Sequence, residues 1–195
     1  MLFGMLLALC ISGAMAQNPT LSRVTAAPET DETQLFIQQF HRILNQVIND
    51  YPNRFKNIIT GPVSEEESDV FLVSAALPEA DRVTVSTRMA RDLSSVQHVF
   101  TAVFFEGDEE TARLIFENVE YLIMICPFAC CEIAYDNLDS GMAMEETSTI
   151  WMSVDENNPD YEEMLIQLRI YKTISFTDEG TVHPWTVVLN ISPLW

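Results

Sequence analysis

Between Val99 and Cys126 the hydrophobic period of the chain changes from that of a strand to that of a helix, and this change limits the possible folds more than any other stretch. Val99-Phe100-Thr101-Ala102-Val103-Phe104-Phe105 reads as a strand and passes through Glu106-Gly107-Asp108 into a helix expected over Glu109–Ile125. In that helix Ala112, Ile115, Phe116, Val119, Leu122, Ile123 and Cys126 recur at three- and four-residue intervals, the spacing that puts side chains on one face. Such a face must be buried against another element. Asp108 stands where an N-cap is wanted, and Glu109 and Glu110 place negative charge at the positive end of the helix dipole.

A second stripe of the same kind, Phe36, Phe40, Ile43, Leu44, Val47, Ile48 and Tyr51, predicts an earlier helix from Thr33 that Pro52 stops. Phe55, Ile58 and Ile59 carry the apolar content on to Gly61-Pro62, and Glu65-Glu66-Glu67 reads as a loop. Strands are expected at Val70–Leu77, Arg82–Arg88 and Val96–Phe105. After the central helix come Ala129–Tyr135, as a short strand or connector, and then strands at Thr147–Val154, Glu163–Phe176 and Thr181–Ile191. The segments between them are turn-forming, as in Asn137–Gly141, Glu156–Asp160 and Asp178-Glu179-Gly180.

Two amphipathic helices and six or seven mostly antiparallel strands bury their apolar faces if both helices lie on one face of a single sheet, which predicts an α+β domain. His98–Val103 resembles His183–Val188, and Phe40, Ile43, Val47 resemble Phe116, Val119, Ile123. These likenesses admit a tandem αβββ–αβββ repeat with half-units 33–105 and 106–195.

Met1–Ile11 is apolar and is followed by Ala14-Met15-Ala16 and polar Gln17-Asn18-Pro19. This reads as a signal peptide, 1–16, cut after Ala16, which places the protein outside the cytosol, periplasmic or extracellular. No Lys or Arg precedes the apolar run. Lipid anchoring at Cys10 is disfavoured because Leu9 is not the small residue a lipidation site needs. Residues 17–32 look like an extended leader, and 33–195 like a single domain. No later apolar run is long enough for a membrane span.

The 29 acidic against 10 basic residues give a net charge of −19, and between Arg113 and Arg169 twelve Asp or Glu occur without a Lys, Arg or His. Such a surface repels phosphate backbones and disfavours nucleic acid as a partner.

No motif specifies a reaction, a cofactor or a metal. Asp155, Asn157, Asp160 and Glu163 offer oxygens for calcium, but Pro159 and Asp160 break the EF-hand pattern and a solvated acidic loop accounts for them. Cys126 could form a disulfide with Cys130 or Cys131, stapling the helix end to the next strand. Cys130 and Cys131 would point to opposite sides if their segment were extended. His98 and His183, at equivalent places in the two strand motifs, could meet across a pseudo-axis.

Phe100, Phe104, Trp151 and Trp185 are candidates for a binding surface, lining a pocket or an interface, although core is the commoner place for any one strand aromatic. Both faces of Val96–Phe105 are apolar, so the sheet either curls or meets a partner on the side away from the helices. These features suggest an exported, non-enzymatic module that binds a protein partner or itself through its sheet. A small-molecule or lipid carrier with a pocket between helices and sheet is the alternative, and a His- or Cys-dependent enzyme the third.

Overall fold

The computed structural model describes residues 31–90, 95–136, 146–153, 158–177 and 180–194. Among the described residues two helices, α1 (Asp31–Asn49) and α2 (Glu109–Met124), accompany ten strands. In the first half of the chain the strands are β1 (Ile59–Pro62), β2 (Val70–Val73), β3 (Arg82–Met89) and β4 (Val96–Gly107). In the second half they are β5 (Ile133–Asp136), β6 (Glu146–Ser153), β7 (Met164–Lys172), β8 (Ser175–Thr177), β9 (Gly180–Val182) and β10 (Trp185–Pro193).

Eight of the strands form one antiparallel sheet in the order β1-β2-β3-β4-β10-β7-β6-β5, while β8 and β9 pair as a separate ribbon. The fold is therefore α+β, with eight strands in its main sheet rather than six or seven. Each half contributes a helix followed by four strands of that sheet, so the αβββ unit expected from the sequence is one strand short. The missed strand is β1, whose four residues contain Gly61 and Pro62, both poor strand formers.

Other boundaries move for local reasons. Asp31 and Glu32 belong to the first turn of α1 rather than to the leader, where their charge suits the helix dipole. The helix ends at Asn49, and Tyr51–Asn53 form a 3-10 turn with Pro52 in it. The strand expected from Val70 stops at Val73. The long strands expected at Glu163–Phe176 and Thr181–Ile191 are each interrupted, at Thr173-Ile174 and at His183-Pro184. The Thr173 N–H donates to Pro184 O at 2.8 Å, so the chain leaves the sheet for the β8–β9 ribbon and returns at the same rung.

One core unites both helices with one face of the sheet. From α1 it takes Phe40, Leu44, Val47 and Ile48, and from α2 Ala112, Phe116, Val119, Leu122 and Ile123. The central strands add Phe100, Ala102 and Phe104 from β4, and Trp185, Val187, Leu189 and Ile191 from β10. Met164, Ile166, Leu168 and Ile170 of β7 continue the layer. Each such large side chain, fully buried, is worth roughly 1.5–3 kcal/mol of transfer free energy. Asp108 caps α2 as expected, its Oδ1 accepting the Thr111 N–H at 2.9 Å.

On the opposite face Val99, Val103, Ile150, Leu165 and Val188 are also buried. Polar side chains lie between them, with Thr101 Oγ1 donating to Asn190 Oδ1 at 2.9 Å and the Arg169 guanidinium over the Tyr171 ring at 4.8 Å. Between β4 and β10 the register slips at Val187/Val188, a bulge that leaves both Phe104 and Phe105 against the core. The Phe105 ring then lies over Gly107, where any Cβ would collide with it.

Asp50 organises the passage from α1 to β1. It is 5% exposed. Its carboxylate accepts the Asn57 N–H at 2.9 Å, the Ile58 N–H at 3.2 Å and the Asn53 side-chain amide at 3.2 Å, as well as the Asn57 side-chain amide. Its main-chain oxygen accepts the N–H groups of Asn53 and Phe55, both at 3.0 Å. These bonds hold Arg54 and Phe55 in consecutive left-handed conformations, φ 59 and 60°, each costing roughly 1–2 kcal/mol in an L-residue. The turn delivers Phe55, 0% exposed, into the core against Phe100 at 6.0 Å between ring centroids. Replacing Asp50 with Ala leaves several donors without their acceptor and should destabilise the fold by about 2 kcal/mol or more. A urea midpoint that falls at unchanged slope checks this.

Candidate functional site

α2 ends at Met124, because Pro127 prevents another turn, and the chain bends through residues 129–131 before entering β5. Asn45, one helical turn after His41 on α1, holds this bend from the neighbouring helix. Its side-chain amide donates to Pro127 O at 3.2 Å and lies 3.4 Å from Cys126 Sγ, while His41 Nε2 is 2.9 Å from Leu122 O. From the other side Asn158, beside the 3-10 turn Pro159–Tyr161, donates to Cys130 O at 2.8 Å.

The bend overturns the geometry of an extended segment. Cys130 Sγ lies 2.8 Å from Cys131 Sγ, so the two adjacent thiols face one another instead of diverging. None of Cys126, Cys130 and Cys131 is in a disulfide; Cys126 is buried and the other two are half-buried. Burial pushes the Cys126 thiol up to about 11, against a smaller lowering by the Asn45 amide. The Cys130 thiol is raised by its contact with Cys131 and then by burial. Tyr161 is raised by burial and, secondarily, by Cys130 and Cys131, so its hydroxyl belongs to the same neighbourhood. Tyr51, stacked on Tyr161 at 6.4 Å, is pushed up to about 12 by burial and then by Glu163.

Between this bend and the sheet lies a cavity of about 310 Å³, lined by Ile123, Met124, Cys126, Phe128, Cys131, Ile133, Tyr135 and Trp151. Tyr135 and Trp151 face each other across β5 and β6 with ring centroids 5.8 Å apart. Of its lining residues Met124 and Tyr135 are 56% and 49% exposed. A smaller cavity, about 210 Å³, lies along the other side of α2 beside Arg113, Glu117 and Glu120, where Thr149 Oγ1 donates to Glu120 Oε1 at 2.6 Å.

The sequence candidates fall at separate places. Phe100, Phe104, Trp151 and Trp185 form no exposed binding surface: all four are buried in the core because their side of the sheet packs against the helices, and of these Trp151 also lines the larger cavity. Of the calcium candidates, Asp155 and Asn157 lie outside the described residues. Asp160 is exposed in the 3-10 turn, and Glu163 follows it with φ 62°. Among the described residues no group of three or more His, Cys, Asp or Glu could hold a metal ion.

The two histidines do not meet. Trp185 pairs with Gly107 and Ile191 with Phe100, so His98 and His183 lie toward opposite ends of the central strand pair, about 30 Å apart along it. Burial, then Arg54 and Lys56, hold the His98 imidazole below its usual value.

Asn45, Asn158 and Tyr161 were invisible as site residues in the sequence, since their partners are 28 or more positions away. No family model matches the chain, and neither the curated proteins nor the solved structures contain a match.

The raised Cys126 thiol has a consequence for stability. A thiol that holds its proton more tightly when folded stabilises the fold fully below its ordinary value of 9.0 and loses that contribution as pH climbs toward about 11. In the presence of a reductant, the stability difference between wild type and Cys126→Ala should therefore shrink from pH 9 to pH 11. Urea titrations across that window measure it.

Proposed function

We propose that the chain is an exported, non-enzymatic protein-binding module that takes an extended, cationic and partly apolar segment of a partner along the β5 edge. The observation that carries this reading is the pair of exposed side chains, Met124 and Tyr135, that line a cavity beside the strand that ends the sheet. A terminal strand offers main-chain donors and acceptors to an added strand, and pockets beside it select alternate side chains. At the other end of the sheet β1 contains Pro62 and a register slip, which make it a poorer template.

Charge supports the choice of partner. The segment from Arg113 to Arg169, which supplies most of α2 and all of β5 and β6, contains twelve acidic residues and no cation between its ends. A second copy of this chain carries the same net charge of −19 and is repelled, whereas a basic segment is steered inward. Export rests on the apolar opening of the chain and the Ala14-Met15-Ala16 pattern. The carrier alternative draws on the same cavity, whose volume is at the low end for ligand pockets, about 300–1,000 Å³.

The test is titration of the chain with a synthetic peptide alternating Val and Lys, against one alternating Val and Glu, followed by calorimetry. The lysine peptide should bind saturably and weaken with added salt. Met124→Lys with Tyr135→Lys, both on exposed positions, should reduce affinity at least about ten-fold, or ~1.4 kcal/mol. Equal binding of the two peptides, or binding indifferent to the substitutions, would overturn the reading. An apolar small molecule retained by the chain in native mass spectrometry, without peptide binding, would replace it with the carrier.

A further inference from the structure

We propose that Cys130 and Cys131 are a site of reversible oxidation, closed to a disulfide between neighbours by low-molecular-weight disulfides and reopened by thiols. This inference rests on the sulfur contact and not on the peptide-binding reading.

Three observations place the reaction here. The two sulfurs are 2.8 Å apart, brought together by a bend that Asn158 anchors through the Cys130 carbonyl. Both residues are half-buried, and Cys131 lines the cavity of about 310 Å³, which gives a small disulfide room to approach. Cys126, the other thiol at this junction, is buried and held by the Asn45 amide. Of the pairings open to three cysteines, the structure favours the one between neighbours.

The chemistry balances within the site and its reagent. Cys131 Sγ, having lost its proton, attacks one sulfur of the reagent; the reagent's S–S bond breaks, and one thiolate leaves and takes up a proton. Cys130, which the neighbouring sulfur and burial keep protonated until then, gives up its proton and attacks Cys131 Sγ. The mixed disulfide breaks and the second thiol departs. Two electrons pass from the cysteine pair to the reagent, and the two cysteine protons end on the released thiols.

The closed form is strained by its covalent frame. Adjacent Cα atoms across a trans peptide are about 3.8 Å apart, below the about 4.4 Å at which ordinary disulfides begin. Strained disulfides are the readily reduced ones, which makes this a reversible site rather than a staple.

The experiment treats the reduced, folded chain with cystamine, a cationic disulfide suited to the acidic surroundings. The product is digested after glutamate, and the peptide Tyr121–Glu132, which holds all three cysteines, is read by mass spectrometry. The expected result is loss of two hydrogens from that peptide, its fragments locating the bond between Cys130 and Cys131, and recovery of both hydrogens with excess glutathione. Cys126→Ser should leave this unchanged, while Cys130→Ser should stop at a mixed disulfide on Cys131. A bond mapped to Cys126, mixed disulfides without closure in the wild type, or a closed form that survives excess glutathione would each overturn the proposal. The wild-type mapping decides it even if a variant fails to fold.

Discussion

The antiparallel pairing of β4 with β10 is the joint on which the rest of the molecule depends. These strands come from the two halves of the chain, stand side by side at the middle of the sheet, and present Phe100, Ala102, Phe104, Val187, Leu189 and Ile191 to the same core. Each helix needs that surface, because its own stripe is too apolar to remain in water and a helix in isolation is marginal. The halves thus complete each other. The helices are tied across the seam as well, through His41 to Leu122 and Asn45 to Pro127.

A sheet of eight strands is wider than two helices can cover. Seven inter-strand spacings of about 4.8 Å span roughly 34 Å, while two helices side by side cover about 20 Å. The outer strands therefore need other cover, and the two ends find it differently. Before β1, the turn built on Asp50 drives Phe55 and Ile58 into the core, where both are nearly fully buried. Before β5, the bend after α2 supplies Phe128, Cys130 and Cys131, which are half-buried and leave a cavity above Trp151. The candidate site is the place where the cover is incomplete.

The sequence discloses what local periodicity encodes. Both helices, the Asp108 cap, the strands β3 and β4 and the α+β class follow from alternation, three- and four-residue spacing and turn residues within a short window. Strand β1 escapes because Gly61 and Pro62 carry no strand signal; it is a strand because the Asp50 turn aims it at β2. The breaks at Thr173 and His183 escape for a related reason, since both flanking runs are apolar and the interruption is fixed by the bond from Thr173 to Pro184. The site was legible only as three clustered cysteines. Its geometry depends on Asn45 and Asn158, polar residues on distant elements, and on a bend that turns two neighbouring thiols the same way.

The exposed ion pairs among the described residues contribute little to holding this fold, and that bears on what its surface can do. With 29 acidic residues and 10 basic ones, one-to-one pairing of every Lys and Arg would still leave 19 carboxylates without a cation. The pairs Arg82–Glu106 at 3.9 Å and Arg113–Glu109 at 2.8 Å are exposed, and such pairs contribute about 0–1 kcal/mol. Among the described residues the buried carboxylate, that of Asp50, is instead satisfied by amides. Stability thus comes from the apolar layer and the sheet ladder, and the surplus negative charge is carried at a cost in self-repulsion. Along the sequence it is unrelieved between Arg113 and Arg169, the stretch that supplies most of α2 and all of β5 and β6. On the reading proposed above, an apolar groove in such surroundings discriminates by charge before it discriminates by shape, admitting basic segments and turning away acidic ones, including further copies of the chain.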